Sequence, residues 1–259
     1  MGHTESMWLA DVGAYEALRG LCRERDAVTR PYAERLRRHA ELLCRTAVPA
    51  VTDKTFTRHS PSRDAHDYVS IGTYWWPDSE AEDGLPFEQR DGHLSPHFHL
   101  YDRPRWDRAA DGIVAAAKAA YFLDEPWFAQ EAARRLRRWF CDPESAMNPH
   151  LRYAQMIPGS RTGSSAGLID FSLYLPTVLD HVTLLSQLDD GAWTSTDRQV
   201  MAGWCANLLS WIEEHPFGRE EEQRNNNHGV YYDRLVVCLA LFLGRPRRAQ
   251  AQLHNYGYG

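Results

Sequence analysis

The sequence has few cysteines, no long apolar run and no excess of basic residues, and each absence excludes a class of protein. Its 259 residues hold five scattered cysteines without a Cys-x-x-Cys pair, so we expect free, buried thiols instead of disulfides or zinc ligands. No apolar run reaches the length of a membrane span. A formal net charge of −6 argues against a nucleic-acid-binding protein.

The amino-terminal segment also lacks the pattern of a secretory signal. Residues 1–20 carry neither a basic region nor a clean apolar stretch after it. The sequence alone therefore gives no localisation.

The composition is sufficient for a folded core. The hydrophobic fraction is 43%, and the length allows one large domain or two small ones. Nine tryptophans and twelve tyrosines are many for this length, and such rings serve in cores and also in carbohydrate sites. Because the net charge is negative, a polyanionic ligand would require a local cationic cleft.

Apolar residues recur at intervals of three and four over much of the chain, which predicts helices. The predicted helices cover residues 12–25, 31–47, 106–122, 127–140, 168–188, 195–214 and 230–243. Pro176 is expected to kink the fifth helix, and Ser195 or Thr196 to cap the sixth. No stretch shows sustained strand alternation, so we expect an all-α protein of antiparallel helix hairpins. Helix pairs wound into an incomplete toroid, with a cleft lined by loops, are one such architecture.

Two irregular blocks, residues 49–104 and 142–165, interrupt the predicted helices. Blocks of this length are unusual in a compact domain unless they are functional. Trp75 and Trp76 precede a proline in the first block, a pattern typical of a packing plug and also of a sugar platform. Arg161 in the second block is either a loop clamp or an anion ligand.

Three consecutive asparagines, Asn225 to Asn227, stand before His228 and Gly229. Asparagine is a poor helix former, and its amide donates and accepts hydrogen bonds without charge. An adjacent imidazole can take up a proton near neutral pH. This set can hold a carboxylate and move a proton beside it. On spacing alone, however, the favoured alternative is an asparagine that caps the helix beginning near Gly229.

Together these segments resemble the alginate lyase-like polysaccharide lyases, from about residue 51 to about residue 244. The motifs that carry the resemblance are VTDK, HDYVSIGTYWWPD, the later DG, DPE-x-x-MNP-x-L-x-YAQ-x-IPG, GLID and NNHG-x-x-YD. The resemblance implies one α/α toroid domain over residues 1–259 and cleavage of a uronic-acid polymer, of alginate or glucuronan type, by β-elimination. It implies an anionic polysaccharide as the partner, no metal or cofactor, and a periplasmic or secreted location.

The resemblance also implies roles for individual residues. Asn227 matches the asparagine that binds the uronate carboxylate, and His228 matches the histidine that helps neutralise it or takes the C5 proton. Tyr232, four residues past His228 on the same helical face, is a candidate proton donor, with a buried helix tyrosine as the favoured alternative. The residues expected to bind substrate are Tyr74, Trp75, Trp76, Tyr153, Gln155, Arg161 and Asn226.

The sequence departs from the family pattern after Pro246. The family's arginine and tyrosine that follow the asparagine–histidine pair are not recognisable there, because Arg247 and Arg248 stand at a different spacing from Tyr256 and Tyr258. We therefore expect a short form of the toroid. An inactive or truncated member that binds carbohydrate without cleaving it is the alternative.

A toroidal glycoside hydrolase is the third and last possibility. It requires two carboxylates that face one cleft. Asp78, Asp170 and Asp233 are available, but no spacing singles out a pair.

Overall fold

The computed structural model describes residues 7–55, 57–188 and 191–256, so residues 1–6 and Tyr258, considered above, lie outside the described residues. The described chain is mostly helical, with short strands, which confirms the predicted all-α class. The helices are α1 (Val12–Arg23), α2 (Arg30–Cys44), α3 (Arg103–Leu123), α4 (Pro126–Leu136), α5 (Leu168–Ser172), α6 (Leu175–Ser186), α7 (Ser195–Glu214), α8 (Pro216–Glu222), α9 (Asn227–Phe242) and α10 (Pro246–Tyr256).

Prolines begin several of these helices instead of interrupting them. Pro176 occupies the first turn of α6, so the predicted helix over residues 168–188 is two helices, α5 and α6, and not one kinked helix. A proline fits the first turn because the N–H that it lacks has no partner there in any case. Pro246 likewise starts α10, a helix that the sequence did not predict.

The cap of α7 lies one residue before the predicted position. Thr194, and not Ser195 or Thr196, is the capping residue: its hydroxyl accepts the N–H of Asp197, whose carboxylate accepts the N–H of Thr194 in return. This reciprocal pair satisfies two amides at the helix start. Hydrogen bonds from Arg137 and Thr194 lower the pKa of Asp197 to about 2.

Two short two-stranded sheets lie within the irregular blocks. β1 (Val69–Ile71) runs parallel to β4 (Tyr153–Met156), and β2 (Trp75–Trp76) runs antiparallel to β3 (Glu88–Gln89). Because β1 comes from the first block and β4 from the second, their pairing fixes the two blocks to each other. Four residues or fewer per strand are too short for the alternation that a sequence pattern can reveal.

The core forms around α3, whose buried face is rich in alanine. Ala109, Ala110, Ala116, Ala117 and Ala119 are each at most 1% exposed, and such small side chains let neighbouring helices pack closely. In the core, Trp106 stacks on Phe171, and their ring centroids are 4.5 Å apart. This packing holds α3 against α5, the helix that follows the second irregular block.

The described thiols and the apolar helices belong to this folded interior. All five cysteines are free, as predicted, and three are buried and two half-buried. The stretch Ser165–Ser186 is long and apolar enough to cross a membrane by composition, which the sequence reading did not identify. Of the 18-residue window within it that is apolar enough, 78% is buried inside the protein, as expected of core helices.

Candidate active site

The asparagine run lies at the exposed start of α9, and one of its members is the helix cap. The Asn226 side-chain oxygen accepts the N–H of His228 at 2.9 Å. Asn225 and Asn227 are also exposed. The cap and the site are therefore compatible: Asn226 uses its oxygen for the helix, and the amide of Asn227 faces solvent beside His228.

A buried carboxylate, which the sequence did not single out, binds the His228 ring on the side away from solvent. His228 Nδ1 and Glu221 Oε1 are 2.5 Å apart; the histidine side chain is 27% exposed and the Glu221 side chain only 1%. Glu221 belongs to an acidic run, residues 220–222, and such a run is typical of a solvent-exposed helix face. Only the turn between α8 and α9 brings it against His228, and no sequence period encodes that contact.

Two glycines allow the backbone around α8 to lie close to α7 and to α9. A Cβ on Gly229, near the start of α9, would overlap the carbonyl oxygen of Arg224, and one on Gly218 would overlap that of Ile212. α8 itself starts at Pro216 and is capped by His215, whose Nδ1 accepts the N–H of Phe217 at 3.2 Å. The register between Glu221 and His228 is thus fixed by backbone contacts.

Tyr232, predicted as a proton donor, lies one turn further along α9 and is only 2% exposed. Burial raises the pKa of its phenol, and nearby carboxylates, Glu222 foremost, add to the effect. Both observations are typical of a packed tyrosine. Its catalytic role stays a prediction.

An open groove of about 780 Å³ lies beside α8. Its lining includes Phe217, Glu220 and most of the segment between β4 and α5, among it Arg161. Backbone hydrogen bonds in both directions between Ile157 and Arg161, at 2.8 and 2.9 Å, shape the turn that carries the exposed arginine. Because Glu220 and Glu221 are consecutive on α8, the groove and His228 share one supporting helix.

Gln155, predicted as a substrate ligand, has its amide bound to a buried network. Its Nε2 donates to Asp170 Oδ1 at 2.9 Å, and its backbone N–H donates to Ser70 Oγ at 2.8 Å, with φ at +47°. Asp170, 1% exposed, also accepts bonds from Tyr68, Ser70 and Arg103. With four donors on a buried carboxylate, Asp170 does not resemble a hydrolase acid that faces a cleft.

The aromatic residues of the first block are packed to different degrees. Trp75 covers Gly72 so closely that a Cβ there would overlap the indole. Trp76 Nε1 donates to the His93 carbonyl at 2.9 Å, with Arg90 over its ring. Tyr74 is 41% exposed. Among the predicted substrate ligands that the structure describes, Arg161 lines the groove, whereas Tyr74, Trp75, Trp76, Tyr153, Gln155 and Asn226 are not in its lining.

A second carboxylate, Asp67, joins the two irregular blocks. It accepts bonds from Ser62 at 2.6 Å and Asn148 at 2.8 Å, and His150 Nε2 lies 3.1 Å from it. Burial alone would raise the pKa of Asp67, but the bonds from His150, Asn148 and Ser62 outweigh it and hold that pKa well below its usual range. The sequence did not predict this role for Asp67 or His150.

His150 also begins a row of rings that leads towards the groove. Trp211 lies 6.3 Å from His150 between ring centroids, His215 stacks on Trp211 at 4.6 Å, and Phe217 follows at 4.8 Å. Burial, with the charges of Arg152 and His150, lowers the pKa of His215. In the described part of the chain, no three His, Cys, Asp or Glu side chains converge as they would to hold a metal ion.

The chain is similar to known alginate lyases in sequence and in structure. The family model described as "Alginate lyase" matches residues 50–259. The crystal structure of an alginate lyase from Bacteroides ovatus superimposes with a TM-score of 0.87 at 33% sequence identity, over 94% of this chain and 63% of that one. The likeness confirms the predicted helical toroid. No curated protein matches the sequence. The chain spans about 63% of the length of the alginate lyase that it matches.

Proposed function

Because this chain belongs to the alginate lyase family, we propose that it is a polysaccharide lyase that cleaves a uronic-acid polymer by β-elimination. One observation carries the proposal: Asn227 and His228 stand together at the exposed start of α9, and the imidazole is fixed from behind. A solvent-facing amide next to an oriented imidazole is the arrangement that this elimination needs.

The chemistry explains the residue types. In the elimination, the C5–H bond breaks, a C4=C5 double bond forms, and the C4–O bond to the neighbouring sugar breaks as its oxygen takes a proton. The adjacent carboxylate makes the C5 proton hard to remove unless hydrogen bonds or positive charge neutralise it. Asn227 and the N-terminal end of α9 would bind that carboxylate, since helix N-termini favour anions. His228 would assist the neutralisation or take the C5 proton.

The groove supplies the binding surface in this proposal. Arg161, exposed on its turn, would pair with a carboxylate of a neighbouring sugar unit, because a guanidinium binds carboxylates with two parallel hydrogen bonds. Phe217 offers an aromatic wall. Such a local cation is what a protein with a net charge of −6 requires to hold a polyanion. The proposal includes a periplasmic or secreted location, because the enzyme would encounter polysaccharides of this kind there.

The test is the appearance of the unsaturated uronate product, followed by its ultraviolet absorbance, with alginate, glucuronan and other uronans as substrates. We expect product with at least one uronan, and a loss of roughly 100-fold or more in kcat/KM for His228→Ala and Asn227→Ala. Gln223→Ala, an exposed amide in the adjacent turn, is the matched control and should retain activity. Binding of oligouronates without any product would contradict the lyase and support the carbohydrate-binding alternative.

A further inference from the structure

We propose that Glu221 is a positioning residue for His228, holding the imidazole through Nδ1 so that Nε2 is the ring nitrogen presented to the substrate. The inference deepens the proposed function and rests on it for its kinetic consequences. Which nitrogen of the His228 ring carries the proton can be measured whether or not the protein is active.

The contact selects between the two ring nitrogens. Nδ1 lies 2.5 Å from Glu221 Oε1, and the Glu221 side chain is 1% exposed, so this edge of the ring is turned away from solvent. An ionised carboxylate only accepts hydrogen bonds, and therefore the proton of the pair belongs on Nδ1. Nε2 is then the nitrogen left for a reacting group. After it receives a proton, the imidazolium stays next to a negative charge.

Glu221 is held in a way that packing alone does not explain. Its second oxygen, Oε2, is buried and finds no hydrogen-bond partner among the described residues. The arginine of the same turn, Arg224, is paired with Glu220 instead. An under-satisfied buried carboxylate destabilises a fold, whereas an apolar side chain of similar size would not. Such local conflicts are expected where a residue serves function.

The surrounding backbone keeps the pair in register. Asn226 caps α9 through the N–H of His228, and Gly229 allows the Arg224 carbonyl to approach the first turn of α9. A glutamate on α8 therefore meets a histidine on α9 across a turn with few degrees of freedom. This is the support that a positioned catalytic group needs.

The first measurement is nitrogen-15 NMR of the His228 ring in the full chain, which requires no substrate. We expect a proton on Nδ1 in the wild type, and a mixture of ring states with a changed Nδ1 signal in Glu221→Leu. Glu222→Gln, on the exposed side of the same helix, is the matched control and should leave the ring unchanged. A wild-type ring with a bare Nδ1, or no change in Glu221→Leu, would overturn the proposal.

The second measurement is a double-mutant cycle between Glu221 and His228. Glu221→Leu should lower kcat by roughly 10- to 100-fold with little change in KM, by analogy with the loss of a hydrogen-bond partner from a metal-binding histidine. Glu221→Gln, which keeps an acceptor oxygen without the charge, should recover part of that loss. In a His228→Ala background the Leu substitution should have no further effect, because Glu221 acts through the histidine.

The outcomes distinguish the positioning role of Glu221 from the proposed lyase function. An equal loss of activity from Glu221→Leu in both backgrounds indicates a structural role and contradicts positioning. Glu221→Gln, nearly isosteric, provides the comparison if the Leu variant does not fold. If the wild type yields no product with any uronan, the proposed lyase function fails, while the NMR result still decides whether Glu221 orients His228.

Discussion

Three buried carboxylates bind half-buried polar groups in and around the candidate site. Asp67 joins loops of the two irregular blocks, Asp170 binds the amide of Gln155, and Glu221 binds His228. Asp67 and Asp170 each bind residues of both irregular blocks, whereas Glu221 binds a histidine seven residues later, across one turn. At the scale of single residues, two of the predicted site residues, Gln155 and His228, are therefore positioned by carboxylates that solvent does not reach.

Asp67 gives a prediction with a defined pH dependence. Its folded-state pKa is lowered, so its stabilising effect is present above the unfolded value, about 4, and is lost as the pH falls towards the folded value. We expect Asp67→Asn to reduce the free energy of unfolding at pH 7 by about 1–3 kcal/mol. The difference from the wild type should shrink below about pH 4.

Urea unfolding at the two pH values checks this expectation. Asp91→Asn, an exposed carboxyl in the first irregular block, is the control and should change little at either pH. A deficit for Asp67→Asn that is as large in acid as at neutral pH would show that the charge of Asp67 is not the cause.

Tyr232 gives a second prediction at this scale. Because its side chain is 2% exposed and its pKa is raised by burial, we expect Tyr232→Phe to retain kcat within about threefold, since a buried ring is replaced by a nearly isosteric one. Steady-state product formation measures this. A fall of roughly 100-fold in kcat at unchanged KM would instead support the role of proton donor.

At the scale of elements, the start of α9 depends on a glycine inside a helix. Alanine normally favours a helix interior over glycine by about 1 kcal/mol. At Gly229 the added Cβ would overlap the Arg224 carbonyl. We therefore expect Gly229→Ala to lower the free energy of unfolding and to reduce activity by displacing His228, with helix content nearly unchanged.

Gly203 is the matched control for this substitution. It lies on the exposed side of α7, and no heavy atom comes within 4 Å of an added Cβ. Gly203→Ala should raise the free energy of unfolding by up to about 1 kcal/mol and leave activity intact. Thermal unfolding and product formation for the two variants, side by side, test the pair. A stabilised, fully active Gly229→Ala would contradict the close-approach argument.

At the scale of the whole molecule, the second helix shares the core of the segment that matches the family. Ala40 and Cys44 of α2 belong to the same buried cluster as Leu239 of α9. The buried Arg135 guanidinium of α4 donates to the Leu43 carbonyl at the end of α2, at 2.8 Å. α2 is thus bound to the core by apolar packing and by a side-chain cap of its last turn.

This arrangement predicts that α2 unfolds together with the rest. Ala40→Asp places an unpaired charge at a position with 0% exposure and should lower the free energy of unfolding by about 3 kcal/mol or more. Helical circular dichroism and product formation should be lost in the same transition. Leu42→Asp, at a position 67% exposed on the same helix, should stay within about 0.5 kcal/mol of the wild type. A separate early transition in Ala40→Asp would show that α2 is an independent unit.

The sequence by itself determined what is local or what repeats along the chain. Apolar spacing predicted most helices to within a few residues, and the chemistry of asparagine predicted a cap at the start of α9. The ordered motifs indicated the family and hence the toroid. These features depend on residues three or four positions apart or on the order of motifs along the chain, and the sequence shows both directly.

Only the tertiary structure decided which side chains meet. The pairing of Glu221 with His228, the network around Asp67 and the packing of Trp75 on Gly72 depend on turns and on strand pairing between distant segments. A glutamate within an acidic run has the same local signature whether it faces water or a histidine. The physical reason is that burial and hydrogen-bond partners are set by the packing of helices, which no local pattern of residues specifies.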